Sequence, residues 1–290
     1  MAIFFDIMRN GSDYSCRPDG GSVFFVGRRV SYEGNIGLYN IFGGSRIEKL
    51  NYRAADFEAQ HGFWSMFIEP TAACEGRNFL TLNTYDRAAF TFGFAQFAAH
   101  VADGDFVQYF RTMLEMPEAP DYFPHLGVRN GRICVTDTAT PKPLENEDST
   151  KLLMRYLNPG LTEVEDAEVI CAAKLIHWTS RSMAARVAQV DRMVAVYRSF
   201  MTRADTRVGI DGRSADLCCV IADIVHQGRG GDGTTWPRID HALKSSKPYD
   251  NLLAIGAEKY RERIRTLRKA IADNPLLKQR RWSSAQADFV

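Results

Sequence analysis

The chain has 290 residues, 45% of them hydrophobic and 11% aromatic, with 36 basic against 35 acidic side chains. That much apolar material excludes a disordered tail and suffices for one large domain or two lobes sharing a cleft. A formal net charge of +1 argues against a general nucleic-acid binder, which carries a basic excess. The densest basic run, residues 261–281, reads as the solvated face of a helix.

Residues 1–52 are rich in Gly and aromatics. Short strands are expected over 23–26 and 36–42, bounded by Gly20-Gly21, Gly34 and Gly43-Gly44, within a small β-containing or irregular N-terminal wrap. From Arg53 the period changes, and Phe57, Trp64, Phe67 and Ile68 recur at helical spacing. Pro70 is expected to kink or restart this helix, leaving a short run that ends on Glu75. Residues 78–86 read as extended or turned, and 92–101 and 105–115 as helices. Pro117, Pro120 and Pro124 then break the pattern. A hairpin is expected over 128–135 with Asn130-Gly131 as a type I′ turn. An exposed loop over 137–148 marks a boundary.

The second half reads as helical. Thr162 and Glu165 form a capping box for a helix running to about Ser180, and another helix is expected over 182–203. Ser214 can cap a run over 215–226 that is apolar nearly all round, as a buried central helix is. The Gly-rich turn over 226–233 ends it. Pro237 suits the start of the next helix, and an amphipathic helix is expected over 252–272. The expected fold is mainly α (α+β), two-lobed, with a small β-hairpin region and a central buried helix. Its expected boundaries are a wrap over 1–52 and a catalytic domain over 53–290, with lobes at roughly 53–136 and 149–272.

The six cysteines show no CxxC or Cys/His spacing, so neither a metal site nor a cofactor is expected. They read as buried thiols, with disulfides after export as the alternative. The first fifteen residues lack the basic region of a conventional signal peptide, and no run approaches the length of a membrane span.

Glu75 is the first candidate for chemistry. A carboxyl at a helix end, followed by Gly76 and walled by apolar residues, can have its pKa raised enough to donate a proton. The alternative is an ordinary solvated carboxylate. Asp86 could activate a water or stabilise positive charge at a sugar, or could simply cap a turn. Gly93 would let the backbone approach a ligand, and Gln96 offers a donor and acceptors. Glu69 is a rival acid, and Asp103 and Asp105 suit caps. His177-Trp178 suits a core.

The run over 75–100, with Glu75, Asn83-Thr84-Tyr85-Asp86 and Thr91-Phe92-Gly93-Phe94-Ala95-Gln96, resembles the lysozyme-like superfamily of lytic transglycosylases, phage lysozymes and chitosanases. It is most similar to peptidoglycan-hydrolase domains of phages and bacterial effectors. There a catalytic Glu ends a helix, a short polar segment follows, and a Gly-x-x-Gln segment opens a helix lining the cleft. The resemblance implies cleavage of the MurNAc-GlcNAc β-1,4 bond, as a muramidase or lytic transglycosylase, with Glu75 as general acid and Asp86 as its partner. Tyr85, Thr91 and Gln96 would bind substrate. His226, Gln227 and Arg229, in a turn loosely similar to the one that closes the cleft in lytic transglycosylases, would bind it too. Position 93 is Gly about where chitosanase relatives carry a base. A chitosanase-like or chitinase-like hydrolase and an inactive glycan-binding module are the alternatives. The implied partner is peptidoglycan or a related β-1,4-linked glycan, with no nucleic acid, no membrane span, and any immunity or secretion partner unknown. The implied place of action is the periplasm or cell wall after synthesis in the cytoplasm and delivery by a holin or secretion system.

Overall fold

The computed structural model describes residues 1–231 and 233–290. In chain order it begins with strands β1 (Phe5–Asn10), β2 (Asp13–Pro18), β3 (Phe24–Tyr32) and β4 (Asn35–Tyr39). A 3-10 turn at Ala54–Phe57 leads into helices α1 (Glu58–His61) and α2 (Phe63–Cys74). Three two-residue strands follow, β5 (Leu82–Asn83), β6 (Thr91–Phe92) and β7 (Phe97–Ala98). Helices α3 (Asp105–Leu114) and α4 (Ala119–Tyr122) precede β8 (Leu126–Arg129), β9 (Arg132–Val135) and β10 (Lys142–Pro143). Then come α5 (Lys151–Leu157), α6 (Asp166–Arg181), α7 (Met183–Val208), α8 (Ala215–Gln227), α9 (Thr235–Leu243) and α10 (Pro248–Ala254). The chain closes with α11 (Arg261–Ala272), α12 (Leu276–Gln279) and a hairpin of β11 (Trp282–Ser283) and β12 (Asp288–Phe289).

The chain divides into two compact units, each assembled from separate stretches. The first holds residues 1–51 and 78–192. The second holds 52–77 and 193–290.

The first unit overturns the expected fold class. Its centre is a seven-stranded antiparallel sheet in the order β1-β2-β3-β4-β5-β6-β7, so the protein is not a mainly helical, lysozyme-like fold with a minor hairpin. Helix α6 packs on β1, β2 and β3, burying Val169, Ala172, Ala173 and Ile176. Past β4 the ladder is completed by a side chain. The Asn40 amide donates to Leu80 O and accepts from Leu82 N–H, both at 2.8 Å, which satisfies backbone groups where strand pairing lapses. Gly37 in β4 is required by contact, because a Cβ there would lie 2.7 Å from the backbone and hydroxyl of Thr84.

The expected helix over 92–101 is absent. Residues 93–96 instead form the turn between β6 and β7, where Gln96 N–H bonds Gly93 O at 3.0 Å. Both Gly93 (φ +91°) and Gln96 (φ +51°) are left-handed, which a right-handed helix forbids. The hairpin at Asn130-Gly131 is present between β8 and β9, with both turn residues at positive φ, as a type I′ turn needs.

In the second unit α8 is the buried centre, with Ala215, Leu217 and every residue from Cys218 to Ile224 buried. Helix α2 packs against α8 and α11. It continues through Pro70 without the expected restart. Its buried Trp64, Phe67, Ile68 and Ala72 hold it in place despite the backbone bond that proline cannot make. Trp64, Phe67, Trp282 and Phe289 form an aromatic cluster with ring centroids 4.6 to 6.4 Å apart. The helix expected over 252–272 is two helices, α10 and α11, parted at Gly256 (φ +73°). All six cysteines are free thiols, five of them buried. Among the described residues, no helix is long and apolar enough to cross a membrane.

Candidate functional site

Three helices of the second unit bring charge to one place. Glu75 is the C-cap residue of α2, and its N–H bonds Thr71 O and Ala72 O. Gly76 (φ +87°) and Arg77 (φ +64°) then reverse the chain, with Arg77 N–H reaching back to Ala72 O at 2.9 Å. Orphan carbonyls at the helix end are thereby satisfied. On α8, Asp223 and His226 stand three residues apart, on one helix face. Gly228 (φ +66°) is the left-handed cap of α8, and the chain after it turns Arg229 inward. On α11, Arg263 lies one turn in from the N-terminus.

Arg263 is the hub. Its Nη1 donates to Glu75 Oε1 at 2.6 Å, and its Nη2 donates to Asp223 Oδ1 at 2.8 Å. Asp223 also accepts from Thr71 Oγ1 at 3.3 Å and faces Arg229 Nη2 at 3.1 Å. Arg229 in turn donates from Nη1 to Ile255 O at 2.8 Å. His226 Nε2 lies 3.4 Å from Glu75 Oε1, and the His226 ring is 5.8 Å from that of Tyr197.

Two carboxylates and two guanidinium groups balance one another in this cluster. The cluster has an inside and a rim. The side chains of Asp223 and Arg229 are 0% exposed, whereas Glu75 is 10%, Arg263 11% and His226 17% exposed.

Burial by itself would raise the Glu75 carboxyl. The hydrogen bond from His226 and the charge of Arg263 outweigh it and bring its pKa down to about 2. The expected raised pKa is therefore not what this site provides. Glu75 stands ionised, held by charge-assisted bonds. The same surroundings push the thiol of Cys74 up to about 12, chiefly by burial, so it is no nucleophile at neutral pH.

No protein-family model matches the chain, and no curated protein or solved structure is similar to it.

The structure thus gathers Glu75, His226 and Arg229 in one network, with Gln227 half-buried at the end of α8. Of the Gly-rich run expected as a turn over 226–233, Asp232 lies outside the described residues. Tyr85, Asp86, Thr91 and Gln96 belong to the first unit. There Asp86 accepts from Ala88 N–H at 2.8 Å and from the Asn83 amide at 3.0 Å, which is the turn-capping geometry. Tyr85 packs edge-on against Tyr32 and Tyr39. Thr91 is buried in β6. Gln96 closes the β6–β7 turn, and a Cβ at Gly93 would lie 2.5 Å from Gln189 Oε1, so Gln189 fills the space beside that glycine. Glu69 pairs with Arg77 at 3.1 Å.

Sequence reasoning missed Asp223, Arg263 and Glu168. A carboxylate inside the apolar run from Leu217 to Val225 was the available signal for Asp223, because buried charge demands a partner. Glu168, on α6 in the first unit, is 0% exposed. Its Oε1 accepts from Leu38 N–H at 3.2 Å and from the Thr84 hydroxyl, and its Oε2 is unpartnered. Burial pushes the Glu168 carboxyl up to about 7, against the hydrogen bonds from Thr84 and Leu38.

Proposed function

We propose that the protein cleaves a β-1,4-linked glycan of the peptidoglycan type, with Glu75 and His226 acting as one unit. The observation that carries this reading is the 3.4 Å approach of His226 Nε2 to Glu75 Oε1 at the less buried edge of the cluster. The sequence run around Glu75 supplies the glycan.

The protonation state of Glu75 fixes the roles. A carboxyl with a pKa of about 2 carries a proton in only about one molecule in 10⁵ at pH 7. Glu75 alone is therefore a poor donor to a leaving oxygen. The pair is a better one: His226 delivers the proton, and Glu75 orients the imidazole. Once the glycosidic bond has begun to break, the ionised Glu75 also suits the positive charge that develops on the sugar. Arg263 is a positioning residue, because it fixes the Glu75 carboxylate through a charge-assisted bond.

Mass spectrometry of peptidoglycan digests tests this reading. The wild type should release muropeptides, and both Glu75→Gln and His226→Ala should lower the rate by about a hundredfold or more. Undiminished turnover by a folded Glu75→Gln protein would reject it. Chitosan digested in parallel separates the two polysaccharides.

A second reading is favoured by Asp223 and Arg229, which are wholly buried and bonded to α11 and to the α10–α11 connection. Here the cluster is a clasp that fixes how α2, α8 and α11 pack, and the protein binds glycan without cutting it. Under this reading the wild type leaves peptidoglycan intact, and Glu75→Gln changes only the melting temperature.

A further inference from the structure

A groove of about 580 Å³ lies in the second unit between α9 and the end of α10. Thr234, Pro237, Arg238, His241 and Ala242 line one side. Their spacing of three, four, seven and eight residues places them on a single stripe of α9. Asn251 and Ile255 line the other side. Ala242 and Ile255 are buried and form an apolar floor with Pro237, while Arg238, His241 and Asn251 are exposed at the rim.

The charges of this groove are one-sided. Among the described residues, no carboxylate lines it. The acidic residues on the two helices are engaged elsewhere, Asp240 with Lys244 at 2.7 Å and Asp250 with Arg268 at 3.5 Å. Among the described residues, Arg238 and His241 have no ion pair or side-chain hydrogen bond. A guanidinium is charged at every physiological pH, and its planar fork matches a carboxylate with two parallel bonds. Asn251 donates from Nδ2 to Ser245 at 2.8 Å, which leaves its carbonyl oxygen to accept from a hydroxyl or amide. The volume falls within the range of small-ligand sites. An apolar floor beneath a polar rim suits a sugar ring, which has an apolar face and a polar edge.

We propose that this groove binds an amino sugar bearing a carboxylate, with the acid on Arg238 and His241 and the ring over Pro237, Ala242 and Ile255. The demand for a carboxylate comes from the groove alone. The choice of an amino sugar rests on the glycan reading of the Glu75 site. The groove would then hold an acidic sugar of the substrate, or of its products, away from the cleavage chemistry.

The test is an NMR titration of the full chain with N-acetylmuramic acid, N-acetylglucosamine and the dipeptide Ala-Glu. The first two share a ring and differ by the acid-bearing lactyl ether. N-acetylmuramic acid should bind about tenfold tighter than N-acetylglucosamine, a difference typical of one charge-assisted contact. It should shift the amides of α9 and α10. Arg238→Ala should abolish the preference, and Arg238→Lys should restore part of it. Equal binding of the two sugars, preferential binding of the dipeptide, or a preference that survives Arg238→Ala would overturn the proposal. Neither monosaccharide has a bond to cleave, so this result is independent of whether peptidoglycan is digested.

Discussion

Glu75 is largely shielded from solvent and Glu168 wholly so, and their surroundings drive them to opposite states. Glu75 meets Arg263 and His226 and is held ionised, with a pKa of about 2. Glu168 meets a hydroxyl and backbone N–H groups rather than a cation, and burial lifts its pKa to about 7. Desolvation acts on both. What separates them is a full positive charge within hydrogen-bonding distance. The difference also separates their uses. The Glu75 side chain keeps 10% exposure at the edge of its cluster, whereas that of Glu168 is sealed between α6, β4 and the segment that follows β5.

The largest effect should come from removing the charge that sets Glu75 apart. Arg263→Met leaves Glu75 without its cation and Asp223 with one cation instead of two. It should cost about 3–5 kcal/mol in denaturant unfolding at pH 7, as breaking buried ion pairs does. Adding Glu75→Gln to that variant should recover part of the loss. A cost under about 1 kcal/mol would place the cluster effectively in solvent.

The next effect is a pH dependence of opposite sign for the two groups. The pKa of Glu75 is lowered on folding, so its contribution is full above the unfolded value of 4.5 and is lost as pH falls toward about 2. That of Glu168 is raised, so stability is highest below 4.5 and declines as pH rises through about 7. Each window is worth about 3 kcal/mol. Glu168→Gln should therefore match the wild type at pH 4 and exceed it by about 3 kcal/mol at pH 9. Equal stabilities at pH 9 would show that Glu168 is not desolvated.

The smallest effect should come from Thr84→Val. It removes the hydroxyl that accepts from Leu38 N–H at 2.6 Å and donates to Glu168. About 1 kcal/mol should be lost at pH 5. The alkaline decline should move to higher pH, because one bond favouring the charged form of Glu168 has gone. A shift to lower pH would contradict the assignment.

Much of the second unit was legible in the sequence. The run over 215–226 is apolar nearly all round, and it is the buried helix α8. Glu75 at a helix end and the Gly-rich turn at residue 226 were both singled out, and their side chains meet. In the first unit the strands expected over 23–26 and 36–42 overlap β3 and β4, but the rest of the sheet was not legible, for physical reasons. In β1 only Phe5 is buried, so the alternation that marks a strand is missing. Strands β5, β6 and β7 have two residues each, too few for any period to show. The phenylalanines over 90–97 imitate a helical stripe because a tight turn buries them, and Gly93 and Gln96 are what exclude a helix. Arg263 was hidden by distance, since its partners stand 40 and 188 residues away and its own helix reads as a solvated amphipath.

The account turns on two carboxyl groups in different states, and carbon-13 NMR of labelled glutamate side chains observes both directly. Titrated from pH 3 to 9, with Glu75→Gln and Glu168→Gln used for assignment, Glu75 should remain ionised throughout. Glu168 should titrate near 7. If Glu75 gains its proton near pH 6, or if Glu168 titrates near 4, the contrast between the two sites does not exist, and the division of labour between Glu75 and His226 fails with it.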